Sequence, residues 1–299
     1  MAGNGRITRW VHNWPIGAMV SAALAASEAF KFAIRRMQLR SQSDDVYFMP
    51  SSSFWDFGPA RLYEQSLNLG KVDAISAGAI TQAALYALLR IPHVQMEGKI
   101  FDHDETAATN LNRNMLSQLR DVGKRKVDVV ARQCGTRLLL EPIAHRFGTG
   151  SYLPQLAPRV LVGVDDIPSR WRVQLQAKGW VGVCGTSHFS ILSSSHSPRQ
   201  ACSGCLHPTD EAGAADPIPT ISFVSFWAGL ALAVRLIREA TGDPYPAVRQ
   251  QLWLTPLRMD LPSAARWLPI PPVMNCPVKC PASLARFLDD ETSKPVYTV

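Results

Sequence analysis

The amino-acid sequence predicts an α/β fold built on a doubly wound, mainly parallel sheet. From about residue 71 onward, short apolar runs alternate with helical patterns long enough to cross over between parallel strands. A polar residue also stands where several of these apolar runs end, as at Ser76, Asp102 and Asp165. Since ligands bind at the carboxyl ends of parallel strands, the same pattern predicts a binding site at one edge of the sheet.

The apolar runs define the predicted strands. These cover residues 72–76, a run that ends at 99–102, and residues 138–143, 160–164 and 180–185. The predicted helices between them cover residues 79–89, 122–132 and 170–178. Such alternation is typical of a Rossmann-like sheet with right-handed crossovers. Beyond residue 190 we expect a long loop over 193–218, an apolar helix over 220–238, a late strand over 250–256 and a proline-rich segment over 262–281.

The composition describes a folded protein with one large domain. The chain has 299 residues, of which 46% are hydrophobic and 18% charged, so disorder is not expected. We interpret residues 1–70 as an N-terminal helical arm with a connector, and residues 71–299 as the α/β domain. The net charge of +7 is scattered, apart from a basic group on one predicted helix at Arg35, Arg36 and Arg40. A solvated helix face explains this group more simply than nucleic-acid binding does.

The N-terminus superficially resembles a secretory signal. Arg6 and Arg9 precede an alanine-rich apolar run at residues 16–26. However, Glu28 and Lys31 continue the same helical register without a break, and the run is shorter than the roughly 18 apolar residues that span a bilayer. We therefore expect a packing helix in a cytoplasmic protein that does not contact a membrane.

The segment from Asp102 to Lys126 carries the strongest functional signal. It contains two acids, an amide, an arginine and a lysine: Asp102, Asp104, Asn110, Arg113 and Lys126. An acid at a strand end can hold a ribose or a metal ion, and the three other polar groups can together neutralise a triphosphate. The segment follows a strand-to-helix turn that contains Gly78. If the groups converge, the chain is a nucleotide-dependent acyl activator; if not, Asn110 and Asp104 are ordinary helix caps on a solvated surface.

Four of the six cysteines form two close pairs. Cys202 and Cys205 make one pair, and Cys276 and Cys280 the other. Four thiolates on two tight turns suit a tetrahedral zinc ion with a structural role, because four protein ligands leave no open position for catalysis. Two unrelated pairs of reduced thiols, or disulfides in a secreted protein, are the alternatives.

The two remaining cysteines carry no nucleophilic signal. Cys184 lies inside an apolar predicted strand, so it is expected to be buried and inert. Cys134 follows a predicted helix, a position that leaves its exposure open. The sequence reveals no constellation of histidine and aspartate around either cysteine, so neither is assigned a nucleophilic role.

Taken in order, these motifs resemble the signature of the ThiF/MoeB/ubiquitin-activating superfamily. The resemblance rests on the run from Asp102 to Lys126, on the apolar strand that ends at Asp165, and on the two cysteine pairs, with Gly78 in the nucleotide loop. It spans roughly residues 70–285.

The resemblance implies a role for each site residue. Asp102 would hold the ribose of ATP, with Gly78 and Asp104 also at the nucleotide, and Asp165 would position Mg²⁺. The phosphates would be bound by the remaining polar residues, Asn110, Arg113 and Lys126. The family activates the C-terminal carboxylate of a ubiquitin-like or sulfur-carrier protein as an acyl adenylate.

The resemblance also implies partners. A homodimer is expected, with a conjugating enzyme as a further partner. Arg6 or Arg9 would match an arginine that relatives supply from the N-terminal arm of a partner subunit.

Two features depart from the family pattern. Ser76 and Thr81 stand where the nucleotide loop usually has glycine, which favours weaker ATP binding. Residues 207–219 contain no cysteine, so a thioester step is poorly supported. Two alternatives to the adenylyltransferase therefore stay open: a non-catalytic relative that binds a partner, and a nicotinamide-dependent oxidoreductase.

Overall fold

The structure is a computed structural model that describes residues 15–41, 66–149, 154–187, 190–210, 221–254 and 265–285. Its strands are β1 (Asn68–Ile75), β2 (Gln95–Phe101), β3 (Leu138–Ile143), β4 (Arg159–Val162), β5 (Trp180–Ser187), β6 (Ser190–His196), β7 (Gln251–Leu254) and β8 (Ala265–Leu268). Its α-helices are α1 (Pro15–Ser41), α2 (Ala79–Leu89), α3 (Lys126–Cys134), α4 (Ile167–Gln176), α5 (Ser203–Leu206) and α6 (Ser222–Ala240).

The eight strands form one sheet in the order β3-β2-β1-β4-β5-β6-β7-β8. Strands β1 to β5 pair in parallel, and β6 to β8 continue the sheet as antiparallel neighbours. The prediction of a mainly parallel α/β core is thus confirmed. The chain runs outward from β1 in both directions, so a ligand crevice is expected where β1 meets β4.

Helices cover the sheet on both faces. One face packs against α2, α3 and α6, and Trp227 on α6 is fully buried. Helix α6 approaches α2 closely because Gly229 has no side chain: a Cβ there would lie 2.4 Å from the Cβ of Ala83. The other face packs against α4 through Val173. This close fit fixes the amino-terminal turns of α2 and α6 relative to each other.

Helix α1 packs mainly on α6. Ser27 is fully buried at this contact and donates to Ala23 O, while Trp227 Nε1 lies 3.4 Å from its hydroxyl. In the part of the chain that the structure describes, no helix combines the length and the apolarity that crossing a bilayer would require.

The structure corrects the sequence prediction beyond residue 187. Strand β6 occupies the start of the expected loop at 193–218, and β8 lies inside the expected proline-rich segment. Strand β6 was not predicted because it contains three consecutive serines, Ser193 to Ser195, and serine has little preference for strands. They are buried or half-buried because Arg235 on α6, 2% exposed, donates to the hydroxyls of Ser193 and Ser195 at 2.7 and 2.8 Å.

The helix predicted over 122–132 begins later than expected. A 3-10 turn at Leu119–Asp121 is followed by Gly123 in the left-handed region, with φ of 82°, and only then by α3. This break brings Lys126 to the first position of the helix.

His196 on β6 is fully buried. Its Nδ1 lies 2.8 Å from Ala201 O and its Nε2 lies 2.9 Å from the hydroxyl of Ser194. Burial, together with the nearby charge of Arg235, lowers the pKa of His196 to about 4. In the unfolded chain His196 is therefore protonated near pH 6.5, whereas in the folded chain it is protonated only near pH 4.

We expect stability to fall with acidification for this reason. Between pH 7 and pH 4 the free energy of unfolding should drop by about 3 kcal/mol on account of His196 alone. Chemical denaturation at several pH values measures the slope, and His196→Gln should remove this contribution. Replacement of the exposed His93 by Asn, which also tolerates positive φ, serves as the control. An unchanged slope in His196→Gln would contradict the assignment.

Candidate functional site

A pocket of about 310 Å³ opens at the carboxyl ends of β1, β2 and β4. All seven residues predicted to bind or act on a nucleotide line it: Gly78, Asp102, Asp104, Asn110, Arg113, Lys126 and Asp165. They come from four different segments of the chain. Their convergence makes this pocket the candidate active site; the role of each residue stays a prediction.

Asp102 is a largely buried residue that lines the pocket. It follows β2 and is only 9% exposed. One carboxylate oxygen accepts from Ala77 N at 2.7 Å, and the other accepts from Asp104 N at 2.9 Å. The carboxylate thus joins the turn after β1 to the end of β2. Each oxygen keeps a further lone pair, so Asp102 can still accept from a ligand hydroxyl.

The turn between β1 and α2 keeps its left-handed backbone without glycine at its start. Ser76 has φ of 92°, and its hydroxyl accepts from Gly78 N at 2.9 Å. Thr81, the second departure from the expected loop, is fully buried and points toward β4: a Cβ on Gly163 would lie 2.6 Å from its Oγ1. Only Ser76 therefore affects the pocket directly. The first N–H groups of α2 have no acceptor within the helix and can bind an anion.

Asp104 and Lys126 form a close ion pair. Lys126 Nζ donates to Asp104 Oδ2 at 2.6 Å, and His103 lies 3.3 Å from the other oxygen. The lysine side chain is 11% exposed and the aspartate 50%. The hydrogen bond from Lys126 lowers the pKa of Asp104 below its usual range. The ammonium is held at the pocket edge, where a phosphate can compete for it.

Asn110 and Arg113 shape the loop that follows β2. Asn110 Oδ1 accepts from Ala107 N at 3.0 Å and so closes a 3-10 turn. Arg113 Nη1 donates to Thr109 O and to Asn112 Oδ1 at 2.8 and 3.0 Å. The capping role considered for Asn110 from the sequence is therefore present, and the side chain also borders the pocket.

Asp165 lies on the opposite side of the pocket, after β4. It is exposed, whereas its neighbour Asp166 caps α4 by accepting from Ser169 N at 2.8 Å. The backbone before Asp165 is held by Arg170, whose Nε and Nη2 both donate to Val164 O at 3.1 and 3.0 Å. Among the residues that the structure describes, none pairs with the Asp165 carboxylate, which stands on a firmly held backbone.

Several pocket residues were missed by sequence reasoning. They are uncharged or lie far from the motifs, and include Asn114, Arg146, Phe147, Thr186 and Ser225. Arg146 pairs with Asp166 at 3.3 Å. Two buried polar atoms, Asn114 Nδ2 and Ser225 Oγ, have no hydrogen-bond partner in the structure as described. No local spacing could have identified Ser225, because its position depends on how α6 packs.

The four paired cysteines converge as predicted. Cys202 Sγ lies 3.3 Å from Cys276 Sγ, and Cys205 Sγ lies 3.5 Å from Cys280 Sγ. All four sulfurs lie within 4.8 Å of one another and are buried. Bonds of about 2.3 Å to a tetrahedral zinc ion would separate the sulfurs by about 3.8 Å. The cluster therefore fits a metal ion, and Gly204 N donates to Cys202 Sγ as is suitable for a thiolate.

The other two cysteines are both buried. Cys184 is inaccessible as predicted, and burial raises its pKa to about 11. Cys134, whose exposure the sequence left open, is only 3% exposed, because it packs into the core from the last turn of α3. Burial raises its pKa to about 12. Neither thiol can supply a thiolate near neutral pH.

Some predicted features lie outside the described residues. Arg6 and Arg9 are among them, as is most of the segment 207–219 that was searched for a thioester cysteine.

Comparison with solved structures identifies the fold. The chain superimposes on E. coli MccB bound to an MccA derivative with a TM-score of 0.57 and 16% identity, covering 71% of this chain and 67% of MccB. A structure of MccB with ATP gives a TM-score of 0.55 and 17% identity, over 71% of this chain and 65% of MccB. A structure of PaaA superimposes with a TM-score of 0.50 and 17% identity, over 69% of this chain and 66% of PaaA. The chain therefore has the MccB-like fold.

Sequence comparison gives a weaker relationship. The chain is 25% identical over 201 residues to y4jF, an uncharacterized protein of Sinorhizobium fredii. The match covers 64% of this chain and only 38% of the length of y4jF. No family model matches the chain.

The burial of Cys134 and Cys184 predicts that both resist alkylation. Iodoacetamide should label neither thiol in the native protein at pH 8, since both are protonated and inaccessible, and should label both after denaturation. Mass spectrometry of the digested protein measures each site separately. Rapid labelling of Cys134 in the native protein would restore it as a candidate nucleophile.

Proposed function

We propose that this chain is an ATP-dependent adenylyltransferase that activates the C-terminal carboxylate of a polypeptide as an acyl adenylate. The convergence of Gly78, Asp102, Arg113, Lys126 and Asp165 on one pocket is the observation that supports this most strongly. The MccB-like fold supports it as well, because MccB is a biosynthetic enzyme of microcin C7 whose structures contain ATP or MccA.

The charge distribution of the pocket suits a nucleotide triphosphate. Arg113 and Lys126 come from the segments after β2 and line the same pocket as the amino terminus of α2. Phosphates over this helix end would receive its free N–H groups and these two cations, while the ribose would reach Asp102. Asn110 and Asn114 line the same pocket, and the unpartnered Asn114 Nδ2 can donate to a phosphate.

In the proposed reaction, a carboxylate oxygen of the polypeptide attacks the α-phosphorus of ATP. The bond to the bridging oxygen of pyrophosphate breaks, and pyrophosphate leaves with that electron pair. Arg113 and Lys126 stabilise the negative charge that builds up on the leaving group. The pocket otherwise acts by holding the two reactants in position.

Two metal ions belong to the proposal. Asp165 is the exposed carboxylate that would hold Mg²⁺, which shields phosphate charge. Cys202, Cys205, Cys276 and Cys280 would hold a structural Zn²⁺ that clamps the C-terminal region of a domain spanning 71–299.

The partner is proposed to be a peptide or protein with a free C-terminus. E. coli MccB binds MccA, which supports this class. A ubiquitin-like or sulfur-carrier protein, a conjugating enzyme and a homodimer also belong to the proposal, and these rest on the sequence resemblance. A cytoplasmic location is proposed from the pattern of the N-terminal helix.

A non-catalytic relative that binds a partner is the second candidate. Its support is that the chain itself already occupies donors a nucleotide would need: Ala77 N binds Asp102, Gly78 N binds Ser76, and Lys126 binds Asp104. ATP must displace the last two of these contacts or bind around them. Measured ATP affinity decides between the two candidates.

Removal of either cation should impair ATP use. We expect Arg113→Ala and Lys126→Ala each to lower ATP–pyrophosphate exchange about 100-fold, because each removes charge stabilisation of the leaving group. Exchange is measured with MccA and with C-terminal glycine peptides as acceptors, and ATP binding by calorimetry. Arg120→Ala is the matched control, since Arg120 is exposed and does not line the pocket.

Failure of the wild-type chain to bind ATP would contradict the enzyme proposal and favour the non-catalytic relative. Binding of NAD without ATP would instead favour an oxidoreductase.

The cysteine cluster should retain zinc through purification. We expect about one zinc per wild-type chain, and a loss of bound metal and of stability in Cys276→Ser, because three sulfurs hold the ion less tightly. Metal analysis by mass spectrometry and thermal unfolding measure both effects. Cys134→Ser, outside the cluster, should keep its zinc. Less than about half a zinc per wild-type chain would contradict the proposal.

A further inference from the structure

Ser225 has an unexplained hydroxyl. It lies in the first turn of α6, is 1% exposed and lines the candidate active site. Its Oγ has no hydrogen-bond partner within the described ranges of the chain. A buried hydroxyl without a partner is unfavourable, and the unpartnered atom borders the pocket, so a ligand is the group that can satisfy it.

Ser225 borders the β5 side of the pocket, because among the strands α6 packs mainly against β5 and β6. Arg113 and Lys126 come from the segments after β2, whereas Gly163 follows β4 and Thr186 lies near the end of β5. Gly229 packs closely against Ile80 O, since a Cβ on residue 229 would lie only 2.7 Å from that oxygen. This contact holds α6 beside the start of α2. Ser225 lies one turn before Gly229. A triphosphate on the β2 side therefore leaves the β4–β5 side, with Ser225, for the second reactant.

The electrostatics of this side also favour an anionic group at α6. The amino-terminal end of α6, a 19-residue helix, carries partial positive charge that attracts an anion. The first turn of α6 contains no acidic residue, and its N-cap Ile221 makes no side-chain capping bond. A carboxylate is thus best placed beside Ser225.

We infer that Ser225 donates a hydrogen bond to the C-terminal carboxylate of the polypeptide and so orients it toward the α-phosphorus. This inference rests on the proposed function and assigns the acyl-binding part of the same pocket. One carboxylate oxygen attacks phosphorus; the other, held by Ser225, becomes the carbonyl oxygen of the acyl adenylate. The serine keeps its proton throughout, and the electron pair of the broken bond leaves with pyrophosphate.

The test separates the two sides of the pocket with two synthetic ligands. N-acetylglycyl sulfamoyl adenosine is a stable analogue of an acyl adenylate and presents the carbonyl oxygen; sulfamoyl adenosine lacks the acyl group. Both are titrated by calorimetry into the full chain, as wild type, Ser225→Ala and Ser222→Ala. Ser222 lies in the same turn and does not line the pocket, so it is the matched control.

We expect Ser225→Ala to bind the acyl analogue about three- to tenfold more weakly than wild type, and to bind sulfamoyl adenosine equally well. Ser222→Ala should bind both ligands as wild type does. Ser225→Ala should also be at least as stable as wild type to denaturant, because it removes an unpartnered hydroxyl. If Ser225 instead had a structural role, Ser225→Ala would be less stable to denaturant than wild type.

The outcomes distinguish the inference from the proposed function. If wild type binds the acyl analogue more tightly than sulfamoyl adenosine and Ser225→Ala retains the whole difference, the inference is overturned and the function stands. If wild type binds neither ligand, both are overturned. Equal loss of both ligands in Ser225→Ala would also overturn the inference, because it would place Ser225 at the nucleotide.

Discussion

The carboxylate of Asp102 joins the two segments on which the candidate active site depends. By accepting from Ala77 N and Asp104 N, it ties the turn after β1 to the end of β2. Gln82 extends the same contact, since its amide donates to Ala77 O while its carbonyl oxygen accepts from Leu116 N. The start of α2, the loop after β2 and the Asp104–Lys126 pair therefore keep fixed positions relative to one another, and the pocket is built before any ligand arrives.

Helix α4 connects this pocket to the cysteine cluster. Its Arg170 holds Val164 O just before Asp165 and also lies 3.3 Å from His207 Nε2, two residues after Cys205. The following Trp171 donates from Nε1 to His207 O at 2.9 Å and packs against the cluster. Gly185 makes room for Arg170, since a Cβ there would lie 2.6 Å from Nη2. A metal in the cluster would thus stabilise the backbone that presents Asp165, although it lies outside the pocket.

The parallel half of the molecule was predictable because its signals are local. Apolar runs identified the strands, and the carboxyl ends of parallel strands meet at one edge, so Asp102 and Asp165 had to approach each other. The antiparallel half was not predictable, since the serines of strand β6 are buried because Arg235 on helix α6 donates to them. Ser225 was missed for the same reason: on α6 its sequence context is that of a core helix, and only the packing of Gly229 brings it to the pocket.

We propose that one pocket holds ATP across the start of α2 while its β4–β5 side stays free for an acyl group. A crystal structure of the chain with a non-hydrolysable ATP analogue tests this most directly. We expect phosphates at the first N–H groups of α2, contacted by Arg113 and by Lys126 after it leaves Asp104, with the ribose at Asp102. An analogue bound elsewhere, or phosphates lying against Ser225 and Thr186, would contradict it.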